Sequence, residues 1–272
     1  PGPVYRFSQV QVTGLDNTGT QSAALRDIFA VDPQDPVNAD AVVKAENDLS
    51  NAMGLKGFPF AKVGEPQLVV DHDTRTATLN MQVDAGGKRQ FGKFILSGSK
   101  LPFDAKHVSR IARFRRGDDF DQSKLDDLRR ALVATGLVSQ ARVTPVPAAD
   151  PALADIAVML EPAKMRTIAA EAGYSTGEGI RAEVSWTHRN LIKPEGAVTF
   201  RGVAGTREQF VGAILRQSNF RGRDQILNAS MSANKVNRRA FEAQTFGVGL
   251  GFERQTNIIW QKKWTWSVGT EL

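Results

Sequence analysis

Two segments of the chain show the same order of hydrophobic periods. In residues 1–86 an alternating stretch, Val4–Leu15, precedes two helix-patterned stretches, Ser22–Val31 and Ala39–Met53, and further alternation follows as far as Asp84. Alternation with period two predicts a strand, whereas apolar spacings of three and four predict an amphipathic helix. Residues 1–86 are therefore predicted to form a β-α-α-β-β domain.

The second segment, residues 87–163, repeats that order. Its predicted strands and helices are, in chain order, Phe91–Gly98, Ala105–Phe114, Ser123–Thr135, Ala141–Val146 and Ala154–Leu160. The longer helix of each domain is predicted to bury one apolar set: Val42, Val43, Leu49 and Met53 in the first domain, and Leu125, Leu128, Leu132 and Val133 in the second. In the first domain, Asn38 or Asp40 is suited to cap this helix, and the segment from Gly57 is predicted to continue as one strand to Val70.

After Lys164 only alternation remains, and it predicts about seven strands. In the first of them, Ile168, Ala170, Ala172 and Tyr174 share one face, and Thr167, Ala169, Glu171 and Gly173 share the other. A soluble sandwich also alternates in this way. The small, polar second face and the tryptophans near strand ends (Trp186, Trp260, Trp264 and Trp266) favour a membrane barrel instead.

The predicted fold class is therefore α+β domains followed by part of an antiparallel transmembrane β-barrel over residues 164–272. Membrane barrels formed by one bacterial chain have an even number of at least eight strands. Seven strands cannot close, so we expect an incomplete barrel. The chain starts at Pro1 without a leader-like segment, which is expected of a mature or trimmed product.

Composition and charge limit the classes of function and site that this protein can have. The three segments carry net charges of −5, +4 and +7, which give the +6 of the whole chain. The basic residues are scattered through alternating strands and are not gathered on a helix, so nucleic acid is not an expected partner. There is no cysteine and no run of about 18 apolar residues, which excludes disulfides, thiolate metal sites and helical membrane spans.

No residue pattern predicts an active site. The three histidines, His72, His107 and His188, lie far apart and form no group with metal-ligand spacing. The pair Asp118-Asp119 is expected to supply helix N-terminal charge, and Asp126-Asp127 to lie on a solvated helix face. We therefore predict no enzyme activity, no metal and no cofactor.

Five stretches of the sequence carry a resemblance to a known family. The run Gly57–Val63 is echoed by Gly136–Val143, and Val83–Gly92 links the two units. These stretches resemble the POTRA domains of the Omp85 superfamily. The stretches Asn190–Gly196 and Asn219–Asp224 are similar to the superfamily's barrel turns. Both depart from the family pattern: the first has Lys193-Pro194 where glycine is usual, and the second has Asp224 where glycine or glutamate is often found. The family's late-barrel Arg-Gly-Phe loop is absent.

Within the superfamily, Phe120–Leu137 and Ala172–Gly179 most resemble the TamA-like branch. The resemblance implies a third POTRA unit before Pro1 and further strands after Leu272. It also implies a location in the outer membrane of a Gram-negative bacterium, with the POTRA domains in the periplasm. The implied partners are unfolded outer-membrane and autotransporter polypeptides, outer-membrane lipid, and an inner-membrane-anchored, periplasm-spanning protein that is TamB-like.

Function is predicted to lie in unpaired strand edges. The resemblance implies a lateral gate at the first barrel strand, about Arg166–Ser175, and its light composition should weaken its pairing. The predicted client-binding residues of this gate strand are Ile168, Ala170, Ala172, Gly173 and Tyr174. The predicted edge residues of the POTRA units are Leu68, Val69, Val70, Arg142, Val143 and Thr144.

Both predictions also have an alternative explanation that involves no binding of a partner. The gate strand also fits an ordinary alanine-rich barrel strand. The POTRA edges are flanked by Pro66, Pro145 and Pro147, whose missing N–H donors protect an edge from pairing.

The main function hypothesis is assembly and insertion of outer-membrane proteins and autotransporters. Three alternatives differ in class: a two-partner-secretion export pore, a lipase-like enzyme fused to one POTRA unit and a barrel, and a soluble periplasmic binding module. A plugging helix would favour the pore, two tandem POTRA units argue against the lipase-like enzyme, and detergent dependence of residues 164–272 would separate the soluble module from the rest.

Overall fold

The computed structural model describes residues 4–177, 179–238, 241–254 and 265–272. They form two compact units. The first contains the described residues as far as Ile95 together with residues 114–126 and 143–157. The second contains residues 96–113 and 127–142 and the described residues from Val158 onward. Elements of the predicted second domain contribute to both units, and the predicted boundaries at residues 86 and 163 stay predictions.

The N-terminal region has the predicted β-α-α-β-β order with two short additions. Its elements are β1 (Arg6–Thr13), a 3-10 helix (Leu15–Gln21), α1 (Ser22–Ile28), α2 (Ala39–Leu55), β2 (Lys62–Val63), β3 (Gln67–Asp71) and β4 (Thr76–Asp84). Strand β4 is central: β1 pairs with it in parallel on one side, and β2 and β3 pair with it antiparallel on the other. The side chain of Asn38 caps α2, as its Oδ1 accepts from the amides of Asp40 (2.9 Å) and Ala41 (3.3 Å).

One apolar core fills the space between this sheet and its helices. It includes Phe7, Leu25, Phe29, Leu49, Met53 and Leu79 among its fully buried side chains. Each such side chain contributes roughly 1.5–3 kcal/mol through removal of its apolar surface from water.

The single strand predicted from Gly57 to Val70 is wrong, because the chain forms β2 and β3 with a break between them. Pro66 lies in the break and has no N–H to donate to a ladder. The amide of Gly64 donates to the carbonyl oxygen of Gln82 at 2.8 Å, and a Cβ at Gly64 would lie 2.9 Å from that oxygen. Close backbone approach therefore requires glycine here.

Two predicted core positions on the longer helices are also wrong. Val43 is 51% exposed and Val133 is 39% exposed. In each case an apolar neighbour one position earlier, Val42 or Leu132, is buried. Because successive helical residues are turned by about 100°, the residue after a core position faces away from the core.

The next region contains β5 (Gln90–Ser97), α3 (Ala105–Ile111), α4 (Gln122–Ala134), β6 (Val138–Pro147) and β7 (Leu153–Pro162). Its strands form a three-stranded sheet in the order β5-β7-β6. In the first unit the ring of Phe91 stacks on that of Phe114, with centroids 3.9 Å apart. In the second unit Val108, Ile111, Leu128 and Leu132 are buried.

The C-terminal region is a seven-stranded sheet. Its strands are β8 (Arg166–Ser175), β9 (Gly179–Ile192), β10 (Gly196–Gly205), β11 (Glu208–Gln217), β12 (Gln225–Arg238), β13 (Phe241–Arg254) and β14 (Trp266–Glu271). Each strand pairs antiparallel with its neighbours in the chain. The count of about seven strands was predicted, and the strands β9, β12 and β13 extend further than their alternation indicated.

The pairing registers give this sheet one apolar face and one polar face. Directly opposite residues share a face, so one face carries Ile168, Trp186, Phe200, Ala213, Met231 and Val248. The other face carries Thr187, Thr199, Ile214, Ser230 and Gly249 at adjoining positions. Large side chains of the apolar face are exposed, including Val211, Phe246, Leu250 and Val268. No second layer of described residues covers them.

Trp186 and Trp266 both lie on the apolar face, in β9 and at the start of β14. Trp260 and Trp264, which were predicted near strand ends, lie outside the described residues, as does Glu178 of the TamA-like stretch. Among the helices that the structure describes, none combines the length and apolar character needed to cross a membrane.

Candidate strand-pairing site at the sheet edge

Strand β8 lies at one edge of the seven-stranded sheet. Among the described residues it pairs with β9 alone, in a regular register from Arg166 opposite His188 to Ser175 opposite Gly179. An edge strand presents backbone N–H and C=O groups to any further strand that joins the sheet.

The hydrogen-bond ladder shows which residues of β8 face outward. The amide of Arg189 donates to the carbonyl oxygen of Met165 at 2.8 Å, in the same register as the ladder. Hydrogen-bonded and non-hydrogen-bonded pairs alternate in antiparallel strands. The odd-numbered residues Thr167, Ala169, Glu171 and Gly173 therefore bond to β9. The even-numbered residues Ile168, Ala170, Ala172 and Tyr174 direct their backbone groups to the outer edge.

These four outward-directed residues are among the five predicted gate-strand residues. Ile168 is 73% exposed and Tyr174 is 74% exposed, and all of β8 is exposed. The fifth predicted residue, Gly173, lies on the opposite, polar face, and a Cβ built there would have nothing within 4 Å. All five predicted gate-strand residues thus lie on the edge strand β8, four of them on the apolar face of the sheet and Gly173 on the polar face. Their role in client binding stays a prediction.

A group of charged side chains on the polar face was missed by the sequence reasoning. Arg201 holds Glu183 with two hydrogen bonds, of 2.6 and 2.9 Å, and Arg181 donates to Glu183 at 2.7 Å. Arg181 also lies 3.8 Å from Glu208. Glu171 of β8 lies directly opposite Glu183. Alternation placed Glu171, Arg181 and Glu183 on polar faces, but only the register between strands shows that they adjoin.

The predicted POTRA edge residues lie in two other sheets. Leu68, Val69 and Val70 belong to β3, which pairs with β4 alone among the described strands, and Val69 is 65% exposed. Pro66 lies one residue before β3 and does not occupy its ladder. This edge is therefore open along its length.

The second predicted edge is more protected. Arg142 and Thr144 of β6 are exposed, and Val143 between them is buried. β6 is an outer strand of its sheet, as predicted, but Pro145 and Pro147 lie within it. Each proline removes an N–H donor.

The turn after β3 is fixed by Asp71. The hydroxyl of Thr74 and the amides of Thr74 and Asp73 donate to its carboxylate, and these bonds lower the pKa of Asp71. Asp119 lies on the loop before α4. The ammonium group of Lys88 donates a hydrogen bond to its carboxylate at 2.8 Å, which lowers the pKa of Asp119. Asp119 is thus engaged by Lys88 rather than acting only as helix N-terminal charge.

A buried polar network, also missed by the sequence reasoning, lies in the second unit. The turn after β9 places Glu195 so that its carboxylate lies 2.6 Å from Nε2 of His107 on α3. Both side chains are buried. Asn219, in the turn between β11 and β12, donates to the other carboxylate oxygen at 2.8 Å. Asn190 accepts from the amide of Glu195 at 2.9 Å and donates to the carbonyl oxygen of Pro102 at 3.1 Å.

The same turn between β11 and β12 carries a second set of contacts. Arg223 donates twice to the carboxylate of Asp127, and Arg113 donates to Asp224 at 3.2 Å. The prediction that Asp127 lies on a solvated helix face is therefore wrong. Asp224 has φ of 66°, in the left-handed region that favours glycine and that Asp tolerates. Among the described residues, no group of three or more His, Cys, Asp or Glu residues is placed to hold a metal ion.

Comparisons with known proteins concern the fold of the chain. Residues 5–86 match the family model "POTRA: Surface antigen variable number repeat". The chain is similar to the crystal structure of BamA from Haemophilus ducreyi lacking POTRA domains 1–3, with a TM-score of 0.77 and 16% identity over 98% of this chain and 50% of that one. A weaker likeness, to CdiB from Escherichia coli, has a TM-score of 0.47 and 12% identity over 93% of this chain and 48% of that one.

The fold and the family match define the class of protein: a POTRA domain precedes a seven-stranded antiparallel sheet with the fold of part of the BamA barrel. The predicted fold class is confirmed. The predicted superfamily resemblance is confirmed as far as the POTRA domain and the fold, and the narrower TamA-like assignment stays a prediction. The chain spans about half the length of the two solved structures just described.

Proposed function

We propose that this chain is part of an Omp85-type outer-membrane factor that assembles or secretes other proteins by pairing their strands with β8. The observation that carries the proposal is the outer edge of β8, where Ile168, Ala170, Ala172 and Tyr174 combine outward backbone groups with side chains on an exposed apolar face. An incoming strand would extend both the hydrogen-bond ladder and that face.

Membrane energetics support this use of the edge. Within lipid, each unsatisfied backbone polar group costs several kcal/mol. An edge that opens towards lipid therefore needs a replacement strand, and an unfolded barrel polypeptide offers one. The energy comes from the folding and burial of the client, so the proposed function needs no catalytic step and no cofactor.

The POTRA domains are proposed to lie in the periplasm of a Gram-negative bacterium and to dock partners. The open edge of β3, with Leu68, Val69 and Val70, supports pairing with an extended segment. The second edge is the weaker candidate because Pro145 and Pro147 interrupt its donors.

The narrower proposal is a TamA-like factor whose clients include autotransporter polypeptides and whose inner-membrane-anchored partner is TamB-like. Its support is the sequence of Phe120–Leu137 and of Ala172–Gly179. Client identity would be tested by offering autotransporter and other barrel polypeptides to the same reconstituted protein.

Proline substitutions on β8 test the main proposal. Ala172→Pro removes an outward N–H, whereas Ala169→Pro removes an N–H that bonds to β9. We expect Ala172→Pro to keep β8 in the sheet and to lose most insertion of a urea-unfolded barrel client into lipid vesicles, measured by protease protection. Ala169→Pro should lower both insertion and the heat resistance of the sheet.

The control Ala172→Ser keeps the outward N–H without adding a β-branched side chain and should still insert the client. Normal insertion by a folded Ala172→Pro protein would refute pairing at this edge. If the client instead passes through the vesicle wall and is released inside it, the export-pore alternative is favoured over assembly.

A further inference from the structure

Glu171 is an uncompensated charge on the edge strand. It is exposed and lies on the polar face of β8. Within the described part of the chain its carboxylate has neither an ion pair nor a hydrogen bond, unlike the neighbouring carboxylates Glu183 and Glu208. A charged residue at a pairing edge influences which strand joins it.

The local charges do not balance. Glu183 is held by Arg201 and Arg181, and Arg181 is shared with Glu208. The three carboxylates, counting Glu171, therefore face two guanidinium groups. Glu171 and Glu183 also lie directly opposite each other, and like charges in that position destabilise a pair of strands.

The geometry of the outer edge determines what a joining strand would place beside Glu171. The backbone groups of Glu171 bond to β9, so a residue opposite it on an incoming antiparallel strand is in a non-hydrogen-bonded pair. In such pairs the Cα atoms are only about 4.5 Å apart and the side chains lie close together. The neighbours of Glu171 on the same face, Ala169 and Gly173, are small and leave room for a long side chain.

We infer that β8 selects incoming strands of other polypeptides that carry Lys or Arg opposite Glu171. The basic side chain would compensate Glu171 and relieve its repulsion by Glu183, and the polar face would exclude an apolar residue at that position. This inference rests on the proposed function, because it specifies the partner of the same edge.

The test uses three synthetic peptides as long as β8, with alternating apolar and threonine residues. They carry Lys, Gln or Glu at the central polar-face position and a cysteine two residues further on. The protein has no cysteine, so Ala169→Cys supplies one reactive site two residues from Glu171. Disulfide formation in detergent micelles reports pairing and register, and competition between the peptides reports charge preference.

We expect the Lys peptide to cross-link about two- to fivefold more than the Gln peptide, and the Glu peptide least. Adding Glu171→Lys should reverse that order. Glu46→Lys makes the same charge change on α2 and should leave the order unaltered, which separates local pairing from net charge.

Cross-linking that is equal for all three peptides would overturn the charge preference and leave strand pairing at β8 intact. No cross-link with any peptide would overturn the pairing proposal and this inference together. A preference that Glu171→Lys does not reverse would also overturn the role of Glu171.

Discussion

Glu195 illustrates how single residues hold the second unit together. Its carboxylate is buried and contacts both His107 and Asn219, and its amide donates to Asn190. The residue has φ of 61°, a conformation that costs a non-glycine residue free energy. The surrounding hydrogen bonds offset that cost and fix the turn after β9 beside α3.

Removing this carboxylate should destabilise the second unit. Glu195→Ala leaves the buried side chain of His107 and the half-buried side chain of Asn219 without their acceptor, so we expect a loss of about 3 kcal/mol in the free energy of unfolding. Urea unfolding in detergent micelles would measure it. The same change at half-buried Glu46 on α2, whose carboxylate has no hydrogen bond or ion pair among the described residues, should stay within about 0.5 kcal/mol. A similarly small loss for Glu195→Ala would show that the network adds little stability.

Much of this residue-scale detail could not be predicted from the sequence. His107 and Glu195 are separated by 88 positions and belong to elements of different period. Nothing in either local pattern indicates that the two are neighbours. Asn38 was different: its capping role depends only on residues two and three positions ahead, and the structure confirms it.

At the scale of elements, β8 combines a light composition with an open edge. Its partners across the ladder, such as Ala182 opposite Ala172 and Val184 opposite Ala170, offer small cross-strand contacts. Cross-strand pairs of larger side chains stabilise a sheet by about 0.2–1 kcal/mol each. The middle of the strand is therefore held mainly by its backbone hydrogen bonds, whereas the larger pairs, Ile168 with Trp186 and Tyr174 with Ile180, lie towards its ends.

Bulkier residues should tighten this strand. Gly173→Val meets no atom within 4 Å of its Cβ, and Ala170→Val enlarges a pair on the apolar face. β-branched residues favour extended backbone. We expect the double variant to slow hydrogen exchange of the β8 amides that bond to β9 and to reduce client insertion several-fold. Thr199→Val on the interior strand β10 is the matched control, and insertion at the normal rate by the double variant would contradict the gate interpretation.

Element identity was predictable where one period ran without interruption. The alternation from Lys164 onward gave seven strands because each residue of a strand contributes to the signal. Strand ends were less predictable: β12 and β13 continue as far as their hairpin register allows, and that register depends on both strands. The break between β2 and β3 depends on the contact of Gly64 with Gln82, which no local period encodes.

At the scale of the whole molecule, the N-terminal POTRA domain has its own core. The buried cluster runs from Phe7 to Ala85 and contains no residue of the later elements. A domain with a self-contained core can be lost without exposing the core of its neighbour.

Deleting residues 1–86 should therefore leave the remainder folded. We expect the shortened protein to keep the helical circular dichroism of α3 and α4 and the heat resistance of the sheet, while docking of periplasmic partners weakens. Limited proteolysis would check the first expectation, with Leu49→Asp as a control that unfolds the first domain in place. Proteolytic loss of α3 and α4 in the shortened protein would show that the two domains fold as one.

The alternation of inward- and outward-directed residues in β8 limits how an incoming strand could change its register. Only every second residue of β8 directs its backbone N–H and C=O groups outward, and those residues all lie on the apolar face. An incoming strand whose register is shifted by one residue would place its apolar side chains on the polar face of the sheet. A strand that changes its register on β8 would therefore shift by two residues at a time, roughly 6.6 Å, because the pleat of the backbone repeats every second residue.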